Sequence, residues 1–365
     1  MPRNLRPSLA AAMFFLTLPA APAIAASPAT GAPALQVRVV TDEADAALAI
    51  LEERARTGAV EPGSWDRLWK SEGFVRLKKR SESFGAKDVE QGFRDFLTSA
   101  EPLSHARELR QALETWKHLD VTAAARRAGA YLPPGIPLRV TIYPVIKKSG
   151  NSFVFELKTS PAMFMYIDPK IGPAKLENTL AHELHHVGIA GCPKPPDYEK
   201  LSAAQKTAFD DLGAFGEGLA MLAAAGGPDA HPHATSDPAA WLVWERDVAS
   251  FNTDLRRLEA FFRDLLAGRL TEDEANRKLF SFIDAEGVPQ GPFYTVGWKM
   301  AAMVERARGR DVLVKLLCDP RALLAAYNEL AAAHPRNDGE GLAAWSPDFL
   351  AGLTPAAPSA APGPR

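Results

Sequence analysis

The chain has 365 residues, 47% hydrophobic and 24% charged, with a formal charge of −2 at neutral pH. That composition excludes a disordered or low-complexity chain and leaves ample length for a real core, plausibly two packed subdomains. A balance so near neutrality also excludes the broad basic surface that nucleic acid or an anionic membrane would require.

Residues 1–25 read as a secretory signal peptide. Arg3 and Arg6 form a short basic region, residues 9–18 are apolar, and Ala23-Ile24-Ala25 offers a small-x-small cleavage site. The apolar run is too short for a membrane span and no acyl-accepting cysteine follows it, so no stable membrane anchor is expected. Removing the two arginines takes the formal charge from −2 to −4, still too mild to imply a polyanionic partner. The expected location is periplasmic or secreted.

Residues 26–36 read as a flexible linker and residues 354–365 as a disordered tail, both rich in Pro and Ala. Residues 37–131 read as a helical region. Thr41 is placed as an N-cap before Ala44, Ala47, Leu48 and Leu51, and later segments carry Trp65, Leu68 and Trp69, then Phe93 and Phe96, then Leu109, Leu113 and Trp116. Gly63 and Gly85 fall in the predicted breaks. The run Arg76-Leu77-Lys78-Lys79-Arg80 reads as a solvated helix face.

The pattern changes after Pro133-Pro134. Residues 138–143 alternate apolar and polar as a half-buried strand does, and residues 152–157 and 163–167 are two further strand candidates. Residues 202–327 return to helix. The predicted class is α+β, mostly helical, with a small sheet and a catalytic region over residues 132–353.

His182-Glu183-Leu184-His185-His186 carries the most chemistry. On a helix His182 and His186 lie one turn apart and project from one face, a spacing that suits two nitrogen ligands of tetrahedral Zn²⁺ with Glu183 beside them as general base. Leu176, Leu180, Leu184 and Val187 fall on the opposite side and predict a core-facing stripe. His185 belongs beside the site or at the surface rather than among the ligands. A catalytic zinc needs a third ligand, and Glu217 within Ala214-Phe215-Gly216-Glu217-Gly218-Leu219-Ala220 is the best candidate. Gly213, Gly216 and Gly218 strip bulk from around it, which lets its helix approach another backbone closely.

The pair of motifs, His182-Glu183-Leu184-His185-His186 and Glu217-Gly218-Leu219-Ala220, resembles the gluzincin group of zinc metallopeptidases, most nearly the poorly characterised zinc-dependent peptidases with H-E-x-H-H and E-G-x-A patterns. The resemblance covers about residues 138–327. It implies a zincin-like catalytic domain, Zn²⁺ as cofactor, a peptide or protein substrate, His182, His186 and Glu217 as ligands, Glu183 as base, and residues 163–167 as an edge strand along which a peptide could lie. The chain departs from the best-known members at Met221, one turn after Glu217, where no aspartate stands to orient a zinc histidine; Asp210 is the alternative.

Other residues leave choices open. Cys192 and Cys318 are the only cysteines and read as a disulfide in an oxidising compartment, with Cys192 as zinc thiolate the competing geometry. Tyr294, in Gly291-Pro292-Phe293-Tyr294-Thr295-Val296-Gly297-Trp298, is a candidate oxyanion donor or simply a tyrosine packed on Trp298. His231 and His233 read as solvated loop residues, and His105, His118 and His334 have no partner pattern. Two rivals to a peptidase remain: a zinc hydrolase of a non-peptide or cell-wall amide bond, and a non-catalytic metal-stabilised binding protein, for which an intact Glu183 would be superfluous.

Overall fold

The structure, a computed structural model, describes residues 34–148, 150, 152–284, 290–333 and 341–355. The predicted signal peptide, most of the linker, His334 and residues 356–365 of the tail lie outside the described residues. The class is the one the sequence predicts: mostly helical α+β, with a four-stranded mixed sheet. Contacts divide the chain into two compact units. One comprises the described residues up to Gly129 together with Pro137–Gly191, the other Ala130–Ile136 and the described residues from Cys192 onward.

The first unit begins with β1 (Leu35–Val39) and continues through α1 (Asp42–Thr57), α2 (Pro62–Lys70), α3 (Glu72–Ser83), α4 (Val89–Leu97), α5 (Ala100–Ser104), α6 (Ala106–His118) and α7 (Val121–Gly129). Then come β2 (Leu138–Val145), β3 (Phe153–Phe155), β4 (Ala162–Tyr166) and α8 (Pro173–Ile189). Gly63 sits inside the first turn of α2 rather than in a break, while Gly85, at φ +82°, does separate α3 from α4. Thr41 precedes α1 as expected, but its hydroxyl bonds to Asp45 Oδ2 instead of capping a backbone N–H.

The sheet order is β1-β2-β4-β3, with β1, β2 and β4 parallel and β3 antiparallel to β4. Parallel neighbours need a long crossover, and α1–α7 supply it between β1 and β2. The order corrects one expectation. Residues 163–167 were expected to form the edge strand, but β4 is hydrogen-bonded on both sides, to β2 and to β3, and the edge beyond it is β3.

The basic run on α3 is also not a free solvated face. Arg76 reaches Glu156 at 2.6 Å, Lys79 reaches the same carboxylate, Lys78 pairs with Glu90 at 2.7 Å, and the Arg80 guanidinium lies 3.6 Å over the Phe153 ring. Glu156 closes the turn between β3 and β4 at φ +54°, so these contacts hold the hairpin against α3.

α8 starts at Pro173, whose missing N–H costs nothing at the first helical position. Its predicted apolar stripe is buried: Leu176, Leu180, Leu184 and Val187 are all under 9% exposed, and α8 packs against α7 and β2. At about 1.5–3 kcal/mol per buried aliphatic side chain, this stripe fixes which face of the helix remains for other work.

The second unit is helical. It contains a short 3₁₀ turn (Tyr198–Lys200), α9 (Ala203–Leu212), a second 3₁₀ turn (Gly213–Phe215), α10 (Gly216–Ala225), α11 (Pro238–Ala249), α12 (Phe251–Leu266), α13 (Glu272–Ile283), α14 (Pro292–Arg308), α15 (Arg310–Leu316), α16 (Pro320–Ala333) and α17 (Pro347–Gly352). Phe215, Phe262, Phe293, Tyr327, Trp345 and Phe349 anchor its core. Residues 130–136 are fastened to this unit by Tyr131, whose hydroxyl donates to the Glu305 carboxylate at 2.8 Å while Arg310 pairs with that carboxylate and covers the tyrosine ring.

Cys192 and Cys318 form a disulfide, with Cα atoms 5.2 Å apart. Near the bridge, Arg321 makes a two-pronged contact with Asp197 at 2.8 and 2.9 Å. Together they tie the segment after α8 to the start of α16.

Candidate metal centre

α8 brings the two motif histidines together as the spacing predicts. The Nε2 atoms of His182 and His186 are 3.0 Å apart and their rings meet edge to face. One nitrogen from each, and one carboxylate oxygen of Glu217, all lie within 4.8 Å of one another. His186 and Glu217 are buried and His182 is partly so.

The donor set fits zinc. Bonds of about 2.0–2.2 Å to nitrogen and oxygen in a tetrahedron separate neighbouring ligand atoms by about 3.3 Å. The two nitrogens are already near that spacing, and the Glu217 oxygen lies within 4.8 Å of both. Two imidazoles and one carboxylate also leave a fourth position for water or substrate, as a catalytic site requires.

Glu217 occupies an unusual helix. α10 is apolar all round and buried from Gly216 to Ala224, as such a helix must be, and Glu217 is its one charged residue. That contrast is visible in the sequence and is a sharper signal than the three glycines. Only one of the three makes a close approach. A Cβ on Gly218 would stand 2.5 Å from the Tyr294 carbonyl oxygen and 2.6 Å from the Gly297 carbonyl carbon, and closer still to the Trp298 nitrogen. Added to Gly213 or Gly216 it would meet nothing within 4 Å. Gly297 answers Gly218 from α14, where its own Cβ would come within 2.8 Å of the Phe215 carbonyl oxygen. α10 and α14 therefore touch backbone to backbone beside Glu217. A glycine inside the helical segment of residues 292–298 was the available hint.

The remaining candidates sort as follows. Glu183 lies on α8, partly buried, a third of a turn from His182. Tyr294 lies in the first turn of α14, buried in a cluster with Met221 and Trp244 and packed by Trp298. His185 is fully buried, which rules out a surface position. Asp210 is engaged elsewhere, with Lys194 and, at 2.9 Å, the Tyr198 hydroxyl. Cys192 is spent in the disulfide and has no thiolate to offer a metal.

The two loop histidines are not simply solvated. His231 stacks on Trp241 at 3.5 Å and pairs with Glu245 at 3.0 Å, and burial lowers its pKa. His233 is buried against Trp244, its Nδ1 3.2 Å from the Ser236 hydroxyl. Among the described residues neither belongs to the metal-ligating group. His105 and His118 are exposed and bond only to carbonyls one turn back, apart from a contact of His105 with Ser104. A shallow groove of about 450 Å³ over β1 and β2, lined by Arg38, Arg139 and Ser160 among others, contains none of the site residues.

Residues 77–336 match the model of a family described as "Putative zinc dependent peptidase (DUF5700)". The chain belongs to this family. The match starts upstream of residue 138, within α3, and takes in His182, Glu183, His186, Glu217, Tyr294 and both cysteines. No curated protein and no solved structure matches the chain. Among the described residues no helix is long and apolar enough to cross a membrane.

Proposed function

We propose that the protein is a periplasmic or secreted zinc metallopeptidase of the gluzincin type, with His182, His186 and Glu217 as ligands and Glu183 as general base. The observation that carries the reading is the convergence of two imidazoles and a buried carboxylate in a member of a zinc-dependent peptidase family. A divalent ion held between these groups would set its positive charge against the buried Glu217 carboxylate.

When bound, zinc acidifies a water and polarises the carbonyl of the scissile bond. The protein's own groups do the rest. Glu183 takes a proton from the attacking water at its carboxylate and delivers it to the departing amine. The Tyr294 hydroxyl donates to the oxygen that becomes negative as the carbonyl is attacked; what supports this is a hydroxyl-bearing residue in the first turn of α14, the helix whose backbone meets Gly218. An extended peptide pairs along β3, which among the described residues has a strand neighbour on one side only. The disulfide supports an oxidising compartment.

The test is Glu183→Gln. It should retain zinc while turnover of an internally quenched peptide library falls by at least about 100-fold, the scale of a lost general base. Wild-type turnover in this variant would refute the mechanism. Hydrolysis of peptidoglycan fragments but of no peptide would replace the peptidase reading with that of a cell-wall amidase.

A further inference from the structure

Lys175 has no part in the chemistry above, yet it occupies the ligand face of α8. At about 100° per residue, position 175 falls between positions 182 and 186 around the helix, two turns before His182. The apolar stripe of Leu176, Leu180, Leu184 and Val187 faces the other way. Lys175 is partly buried, and loss of solvent lowers its pKa. Among the described residues no acceptor meets its ammonium. The nearest acid on the helix, Glu177, is committed to Arg127, and the first turn of α8 contains no acidic residue.

A cation here also opposes the helix dipole, which disfavours positive charge in the first turn. A partly desolvated ammonium in an unfavourable field is a cost to the folded chain, and an anion arriving from outside would reduce it. Helix rise sets the distance: seven residues place the Lys175 backbone about 10 Å from that of His182, which an extended peptide covers in about three residues.

We infer that Lys175 is a specificity residue that binds a substrate carboxylate within about three residues of the scissile bond. The inference rests on the metallopeptidase reading and adds the substrate class: peptides with a carboxylate near the cut, either a free C-terminus or an acidic side chain. Contact with Lys175 forms one charge-assisted hydrogen bond and leaves the reacting atoms untouched.

The experiment uses the full zinc-loaded chain and matched sets of quenched peptides that differ only in Glu against Gln at single positions, and in free acid against amide at the C-terminus. Wild type should show a KM about 10- to 100-fold lower for one carboxylate-bearing member than for its neutral twin, the usual span for a hydrogen bond to a charged group. Lys175→Met should erase that ratio while leaving kcat and KM for the neutral twin unchanged, and Lys175→Arg should keep most of it. Preference for the free acid identifies a C-terminal carboxylate, and preference for Glu a side chain.

Equal KM values for acidic and neutral peptides in wild type overturn the inference without any variant. A second readout is independent of turnover: anisotropy with labelled, uncleaved versions of the same peptides on Glu183→Gln, with and without Lys175→Met. If wild type cleaves no peptide, the functional reading fails, and the binding ratio still decides the role of Lys175. Identical affinities in both backgrounds refute it.

Discussion

Gly218→Ala isolates the contact on which the position of Glu217 depends. The new methyl would meet backbone only, at 2.5 Å from the Tyr294 oxygen and 2.6 Å from the Gly297 carbon, so no side chain can rotate away to admit it. Restoring an ordinary contact of about 3.5 Å requires α10 and α14 to part by more than about 1 Å, because the Trp298 nitrogen is closer still. Overpacking of this kind costs about 1–3 kcal/mol, and a rigid backbone neighbour puts Gly218 at the upper end. For a unit of this size about 3 kcal/mol lowers Tm by about 6–12 °C. A displacement of about 1 Å or more also moves the Glu217 carboxylate, so activity should fall about 100-fold more than the loss of folded protein explains. Gly216→Ala is the matched control. It adds the same methyl two residues earlier, at the first position of α10, into open space, and should be neutral or stabilising by up to about 1 kcal/mol through helix propensity. Thermal melts and peptidase assays on both variants check the argument. Equal Tm in Gly218→Ala and wild type would show that the helices are not in backbone contact.

Three further outcomes are expected. Alkylation without reductant, followed by intact-mass measurement, should find neither cysteine modified; Cys192→Ser should keep its metal and lose stability, with about 5 kcal/mol as the chain-entropy ceiling for a separation of 126 residues. Glu43 is fully buried, with one oxygen accepting the Ile146 N–H at 3.0 Å, and burial pushes its pKa up from 4.5 to about 8. A carboxyl whose folded pKa is raised contributes stability that is complete below about pH 4.5 and is lost as pH rises through about 8, so Glu43→Gln should gain on wild type across that window by as much as about 5 kcal/mol; denaturant curves at pH 5 and pH 9 that stay parallel for the two proteins would contradict this. Glu305→Gln should loosen residues 130–136, because Tyr131 and Arg310 both lose their carboxylate partner, at a cost of about 1–3 kcal/mol seen in urea midpoints, discounted because Arg310 is partly exposed; an unchanged midpoint would mean the contact contributes nothing.

What could be read from the sequence was whatever depends on local period and residue type. The spacing of His182 and His186 and the stripe from Leu176 to Val187 follow from 3.6 residues per turn, and both hold in α8. Residues 138–143 alternate plainly enough to place β2. β1 was missed because Leu35, Val37 and Val39 alternate over only five residues directly after a Pro- and Ala-rich stretch. Strand order was not legible at all. Nothing local distinguishes an inner strand such as β4 from an edge strand such as β3, since both are short and apolar and the difference lies in the crossover between β2 and β4. The same limit separates Gly218 from Gly216 and Gly213: three glycines look alike until α14 is packed against one of them. Asp210 shows the converse error, where a plausible helical face was already claimed by Lys194 and Tyr198 from a segment that sequence spacing cannot locate.

The most direct test of the central claim is zinc stoichiometry, measured by elemental analysis on purified full-length protein after dialysis against a weak chelator. One zinc per chain in wild type and in Cys192→Ser, with near-complete loss in Glu217→Ala and in His186→Ala, is the predicted result. Retention of a full equivalent in Glu217→Ala would contradict it, because the metal would then be held by some set other than His182, His186 and Glu217.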